Sequence, residues 1–329
     1  MSAPERECAV RVPGSSSNLG GGFDCVAVAT DRWLTARASI AHGAAAGVTV
    51  ERGGELAELA VEPARDALWI GFAAACRAAG REPPSAVRFR AVSDIPVARG
   101  LGSSAAALVA GAALANELLA LGLDRTAIVS AAAAIEGHPE NAAASVFGGA
   151  TLSVAAPGSA ALTVAPLDVH ASLLLAFAVP QLTLETKRAR AALPPGVPHA
   201  TAVAAQARGA ALVRGLATAS PALLAVALDD VLHVPHRRAL VPGYDLVTAA
   251  AVAAGAFGAT LSGAGTTIVA VAPRERAAAV AAAMEAAWRA TGVPATSFTS
   301  TFDVPPMSIS PSRPPAHERG AAAGSTLHA

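Results

Sequence analysis

Lysine is nearly absent from this chain. Lys187 is the only one, and arginine supplies the rest of the 24 basic residues. A P-loop needs a lysine directly after its glycines, and a protein kinase needs one on a strand beside the nucleotide. Lys187 sits in Glu-Thr-Lys-Arg-Ala-Arg, which is neither motif. Any nucleotide site must therefore hold phosphates with backbone amides, hydroxyls and a metal ion. Cysteine is scarce as well. Cys8, Cys25 and Cys76 are an odd number with no paired spacing. That argues against a disulfide framework or a zinc site and fits a reduced, cytoplasmic setting. Neither sign of charge prevails, because 24 basic residues face 24 acidic ones. Nothing in that balance asks for nucleic acid or an anionic membrane as partner. Aromatic residues make up only 4%, and alanine supplies much of the apolar content. The core is therefore expected to be helix-rich and packed through small side chains. The opening MSAPERECAV is charged and has no apolar run, so no signal peptide is expected. Asp245 and Arg274 enclose an uncharged stretch long enough to span a bilayer. Gly255, Gly258, Gly263 and Gly265 interrupt it, and its second half reads as strand, turn, strand, which is buried core rather than membrane.

What the chain does have is concentrated at residues 96–106, Pro-Val-Ala-Arg-Gly-Leu-Gly-Ser-Ser-Ala-Ala. Gly100 and Gly102 let the backbone turn tightly, and Ser103 and Ser104 stand where a long Ala/Leu helix starts. Free amides and the positive end of the helix dipole make such a start an anion site. The plain alternative is an N-capped helix after a loop, which needs only one serine.

Periodicity sets the frame around this segment. Strands are expected over 7–12, 25–40, 47–51, 86–92, 145–154, 160–167, 172–179, 257–261, 267–272 and 295–302. Helices are expected over 65–79, from 103 to about 121, from Asp124 to Glu136, and over 186–192, 200–217, 220–229, 245–254 and 274–290. Residues 13–24 and 232–243 read as loops, and Pro157-Gly158 as a turn. Strands and helices mix in both halves, as in an α+β protein of two layers. The expected division is an N-terminal domain over 1–165, a C-terminal domain over 166–304 and a disordered tail over 305–329.

Four further constellations bear on chemistry. Val12-Pro-Gly-Ser-Ser-Ser-Asn-Leu-Gly-Gly-Gly-Phe-Asp24 places Asn18 and Asp24 around a glycine cluster. It is either a flexible turn or a loop that closes on a small ligand, with Asp24 toward a cation. In Glu136-Gly-His-Pro-Glu-Asn141 a carboxylate ends a helix, against the dipole. A Mg2+ ion there would justify it, and an ordinary helix end is the alternative. Thr186-Lys-Arg-Ala-Arg190 and Pro235-His-Arg237 offer guanidinium groups, suited to a carboxylate or to plain solvent. Leu261-Ser-Gly-Ala-Gly-Thr266 is a hairpin or a close backbone approach to a ligand.

In this order and spacing the motifs resemble the GHMP kinases, and among them the homoserine kinases, over about residues 8 to 303. The resemblance implies a two-domain GHMP kinase fold, with an N-terminal domain like domain 2 of ribosomal protein S5 and a ferredoxin-like C-terminal domain. It implies transfer of the ATP γ-phosphoryl group to the side-chain hydroxyl of L-homoserine, a step toward threonine. Pro96, Ala98, Arg99, Gly100 and Leu101, followed by Gly102, Ser103, Ser104, Ala105 and Ala106, would wrap the triphosphate. Ser104 and Glu136 would hold Mg2+. Asn18 and Asp24 would face the ammonium and hydroxyl end, and His138 and Asn141 would orient the reacting hydroxyl. Arg190 and Arg237 would clamp the α-carboxylate, with Thr186 and the Gly263–Gly265 loop closing around it. Members of this family are often homodimers. Four residues depart from the family pattern. Gly21 stands for Pro, which would loosen its loop. Thr266 stands for Pro, His236 for Tyr and Arg188 for Glu, and the last two would bear on specificity. Asp66 is a candidate for the adenine end. A kinase for another hydroxy amino acid or carboxylate-bearing metabolite, or a non-catalytic binding module, are the alternatives.

Overall fold

Two long strands organise the first half of the molecule. This computed structural model describes residues 6–40, 46–155 and 161–311. The first half comprises β1 (Arg6–Asn18), β2 (Gly22–Ile40), β3 (Gly47–Gly54), α1 (Ala67–Ala78), β4 (Ala86–Ser93), α2 (Ser103–Leu119), α3 (Arg125–Glu136), α4 (Glu140–Phe147), β5 (Ala150–Ala155) and β6 (Leu162–Pro166). The second half comprises β7 (Leu173–Pro180), α5 (Thr186–Ala191), α6 (His199–Thr218), α7 (Pro221–Leu228), α8 (Val234–Arg237), α9 (Tyr244–Ala253), β8 (Gly258–Leu261), β9 (Ile268–Pro273), α10 (Ala277–Ala290), β10 (Ala295–Ser300) and β11 (Ser308–Pro311).

β1 and β2 pair antiparallel along nearly their whole length. β2 then serves two partners, β5 through Val26–Val28 and β4 through Leu34–Ser39. The resulting sheet runs β11-β1-β2-β4-β3, with β5 and β6 branching from β2. The second sheet runs β10-β7-β9-β8. In chain order that is fourth, first, third, second, and with α10 between β9 and β10 it is the ferredoxin-like βαββαβ arrangement. The two sheets and their helices form the two-domain GHMP kinase fold in the α+β class.

Strand alternation shows how the halves join. Leu175 and Phe177 on β7 belong to the core that also holds β1, β2, α1 and α2, while Ala176 and Ala178 face a second core under α9 and α10. The scarcity of aromatics is met by close helix contact. At the α1–α2 crossing, a Cβ on Gly71 would lie 2.1 Å from the Leu108 carbonyl oxygen, and one on Gly111 would lie 1.9 Å from that of Leu68. Any side chain at either position would push the two helices apart.

Three expectations change. The loop read over 13–24 is strand as far as Asn18, and only Leu19–Gly21 turn. Ser15, Ser16 and Ser17 look like loop residues but are buried, with hydroxyls bonded to Asn141 and Ser262. α4 occupies ground read partly as strand, because its Ala-rich face is buried against β1 and α2. The expected tail does not begin at 305: Ser308–Pro311 pair with β1, and Phe302, Val304 and Met307 are buried. Pro157-Gly158 and residues 312–329 lie outside the described residues. The uncharged stretch after Asp245 is α9, β8 and β9, and no helix among the described residues is long and apolar enough to cross a membrane.

Candidate active site

A cleft of about 390 Å³ runs between the two halves. Its middle wall is the segment joining β4 to α2. Ala98, Gly100 and Gly102 all have positive φ there. Four successive carbonyls of this segment are tied to the surrounding protein. Ala98 accepts from the Leu184 amide (3.0 Å), Arg99 from that of Thr267 (3.2 Å), Gly100 from the Ser262 hydroxyl (2.6 Å) and Leu101 from the Ser15 amide (3.1 Å). In a trans peptide the N–H points opposite to the C=O. The amides that follow each carbonyl are thereby turned away from these anchors. None of the amides from Gly100 to Ala105 donates to another group among the described residues. The result is a run of oriented donors ending in the first turn of α2, a ready anion cradle.

Pro96, Ala98, Gly100, Leu101, Gly102, Ser103, Ser104 and Ala105 line the cleft. Arg99 and Ala106 do not. Arg99 turns its Nε to the Pro180 carbonyl (3.1 Å), and Ala106 is buried with its amide spent on Gly102 (2.9 Å).

Beside the cradle, α3 ends at Glu136, with Gly137 as its left-handed cap. The Glu136 Oε2 atom is buried and has no hydrogen-bond partner among the described residues, and burial pushes its carboxyl above the usual carboxylate range. The nearby Ser104 hydroxyl and the His138 ring pull against that rise. An orphaned carboxylate oxygen next to a serine hydroxyl and a phosphate cradle fits a hard cation that takes its other ligands from phosphate and water. No cluster of three or more His, Cys, Asp or Glu suited to a metal occurs among the described residues.

The far end of the cleft carries both charges. Asp24 and Arg190 form a bidentate ion pair at 2.7 and 3.1 Å, each about a third exposed. Arg237 lines the same end and is 2% exposed. Burial, reinforced by the neighbouring Arg190 charge, lowers its pKa to about 10. Asn18 is a strut: its Nδ2 donates to the Gly263 carbonyl (2.9 Å) and its Oδ1 accepts from the Asp24 amide (3.0 Å). Asn141 donates to the Ser17 hydroxyl (3.0 Å) and to Glu140 (2.9 Å), and accepts from Ser15 (2.9 Å). Thr186, His138 and Gly263 also line the cleft, whereas Gly265 lies outside its wall.

Over this same chain a family model described as the GHMP kinases N terminal domain matches residues 67–149, and one described as GHMP kinases C terminal matches residues 204–290. A homoserine kinase of Gloeobacter violaceus is 41% identical, over 85% of this chain and 92% of the relative. A homoserine kinase of Trichormus variabilis is 38% identical, over 87% and 93%. The chain belongs to the GHMP kinase family. As a GHMP kinase it is an ATP-dependent kinase of a small molecule. The crystal structure of a homoserine kinase from Cytophaga hutchinsonii superposes with a TM-score of 0.80 at 27% identity, covering 92% of this chain and 97% of that one.

Several residues of this GHMP kinase site escape a reading of its sequence. Glu140 is 1% exposed and lines the cleft, with Oε1 2.9 Å from His138 Nδ1. Burial alone would lower the His138 pKa, but the Glu140 carboxylate raises it. Glu140 passes for a helix-start residue, and only α4 reveals its direction. At the opposite end Arg52 donates to Asp66 (2.6 and 3.0 Å) and to the Val61 carbonyl (2.9 Å), and Asp66 caps α1 through the Leu68 amide (2.9 Å). Leu56, Leu59 and Leu68 make that end apolar. Of the departures from the family pattern, His236 and Arg188 are exposed and do not line the cleft. Gly21 does not loosen its loop, because it donates an amide bond to Ala227 (2.8 Å) that proline cannot make. Thr266 donates to the Leu182 carbonyl (2.6 Å) and ties the β8–β9 loop down.

Proposed function

We propose that this chain is a cytoplasmic homoserine kinase, which transfers the ATP γ-phosphoryl group to the side-chain hydroxyl of L-homoserine. The observation that carries this reading is the composition of the cleft: an amide cradle at its middle, and one carboxylate with two guanidinium groups at its end. A zwitterionic amino acid needs both charges, and a sugar or a simple alcohol needs neither. The apolar end by Leu56, Leu59 and Asp66 would take the adenine, and the cradle from Ala98 to Ala105 would take the phosphates. Ser104 and Glu136 would hold Mg2+, which when bound neutralises charge on the transferring phosphoryl group. Asp24 would receive the ammonium, and Arg190 and Arg237 the carboxylate, so that the ion pair between Asp24 and Arg190 is exchanged for two pairs with the substrate. That fixes the amino-acid end and leaves the side-chain hydroxyl to reach back toward His138 and Asn141. The hydroxyl oxygen then forms the new bond to γ-phosphorus. The bond to the β–γ bridging oxygen breaks, ADP leaves, and the hydroxyl proton passes to water. Phosphoryl transfer depends mainly on positioning and charge neutralisation, and a strong base is not required.

The test is ADP release by the purified protein with ATP and Mg2+, offered L-homoserine, L-threonine, L-serine, D-homoserine, mevalonate or galactose. Strong turnover with L-homoserine alone, lost with a chelator and restored by Mg2+, is the expected outcome. Turnover with a different acceptor would replace the substrate assignment. Binding of ATP without turnover of any acceptor would favour a binding module.

A further inference from the structure

Arg237 is a buried cation held by neutral groups. Its Nε donates to the Ala189 carbonyl (3.2 Å), and Nη1 meets both the Gly263 carbonyl and His233 Nδ1 at 3.3 Å. No carboxylate pairs with it among the described residues. Its Nη2 has no partner there, and the side chain lines the cleft. The Phe23 ring supports both neighbours, with Arg237 Cζ 5.4 Å from its centroid and the His233 ring stacked on it at 4.9 Å.

His233 is fully buried at the entry to α8. Asp230 fixes that entry: its Oδ2 accepts from the amides of Leu232 (3.1 Å), His233 (2.6 Å) and Val234 (2.7 Å). A guanidinium has donors only, so the nitrogen facing Nη1 must offer a lone pair. Nδ1 therefore carries no proton, and the ring proton sits on Nε2, which faces Asp230 Oδ2 at 3.8 Å. The charged groups around the ring are Asp230, Arg237 and Asp24. Burial, with help from the Arg237 charge, lowers the His233 pKa to about 4 against the opposing pull of Asp230.

We propose that His233 is a positioning residue for carboxylate recognition: its Nδ1 lone pair occupies one end of the Arg237 guanidinium, so that Nη2 is left to face the amino-acid end of the cleft. This rests on the reading that Arg237 binds the substrate carboxylate. Among the described residues no carboxylate pairs with the arginine, and the neutral ring orients it without competing for its charge.

Three variants test this against a merely structural role. His233→Asn keeps an acceptor where Nδ1 stands, His233→Gln moves it to the Nε2 place, and His233→Leu fills the space with none. For Leu and Gln, KM for L-homoserine should rise about tenfold while kcat and KM for ATP stay within about twofold. Asn should recover most of the loss although it lacks the stacking ring. If Leu does not fold, the contrast of Asn with Gln carries the same information. An unchanged KM for L-homoserine in folded Leu or Gln variants overturns the proposal, as does parallel damage to kcat and both KM values that Asn fails to repair. Arg237→Ala, assayed alongside, separates the two levels. If it leaves KM for L-homoserine unchanged, the carboxylate reading itself fails. If it raises that KM while His233→Leu does not, only the positioning role fails.

Discussion

Asp24 and Arg190 neutralise each other across the cleft, and this bears directly on which ligands the site accepts. A zwitterion replaces one internal ion pair with two external ones. A hydroxy acid without the ammonium would take Arg190 and strand Asp24, and an amino alcohol would do the reverse. The site therefore discriminates by charge pattern before any contact with the reacting hydroxyl. Asp24→Asn removes the ammonium partner and frees Arg190 together. A charge-assisted hydrogen bond contributes about 1.5–3 kcal/mol, so KM for L-homoserine should rise about 10- to 100-fold. Inhibition by 4-hydroxybutanoate, which has the carboxylate and hydroxyl but no ammonium, should strengthen in the same variant. Steady-state kinetics with both compounds measures the two effects. Weaker L-homoserine use without any gain for 4-hydroxybutanoate would mean that Arg190 is not held in check by Asp24.

At the level of elements, the cradle was readable because its chemistry is local. Two glycines, two serines and a helix-forming run name a turn, an anion site and a helix within eleven residues. Ser15 to Ser17 were not readable, because their hydroxyls find partners on α4 and on the β8–β9 loop, more than a hundred residues away. Glu140 and His233 failed for a different reason: each acts on a residue close by in the chain, His138 and Arg237, and only the folded starts of α4 and α8 set the directions that bring these side chains together. Gly100 shows how the cradle depends on such a neighbour. Its φ is +76°, and a Cβ there would lie 2.1 Å from the Ser262 carbonyl oxygen. Gly100→Ala must therefore push the cradle off the β8–β9 loop as well as strain the backbone. Gly122 is the matched control, with φ +74° and open space around it. Gly122→Ala should cost only the left-handed strain of about 1–2 kcal/mol and leave KM for ATP unchanged. Gly100→Ala should lower stability further and raise KM for ATP about tenfold or more. Equal behaviour of the two in denaturant melts and ATP titrations would show that the cradle does not lean on that loop.

On the scale of the whole molecule, the class and the order of elements follow from patterning, whereas the path of the chain after β10 does not. Residues rich in Pro and Ser read as a tail, yet the chain leaves the second sheet at Ser300 and returns to the first. Burial decides this. Phe302, Val304 and Met307 are each at most 5% exposed, the Val304 carbonyl accepts from Gly149, and Met307 donates to Ser145 at the end of α4. Gly148 leaves room for the passing backbone, since a Cβ there would lie 2.5 Å from the Pro306 nitrogen. β11 then covers the outer edge of β1, the strand that carries Ser17 and Asn18 into the cleft. The returning segment thus closes the sheet that supports the site. A chain ending at Thr301 loses three buried side chains, each contributing about 1.5–3 kcal/mol, so most of the stability of an ordinary domain is at stake. A chain ending at Pro311 keeps every one of these contacts and serves as the control. Urea denaturation should show a midpoint far lower for the Thr301 chain, or no folded baseline at all, with the Pro311 chain retaining a cooperative transition. Matching midpoints for the two would mean that the first sheet stands without its returning strand.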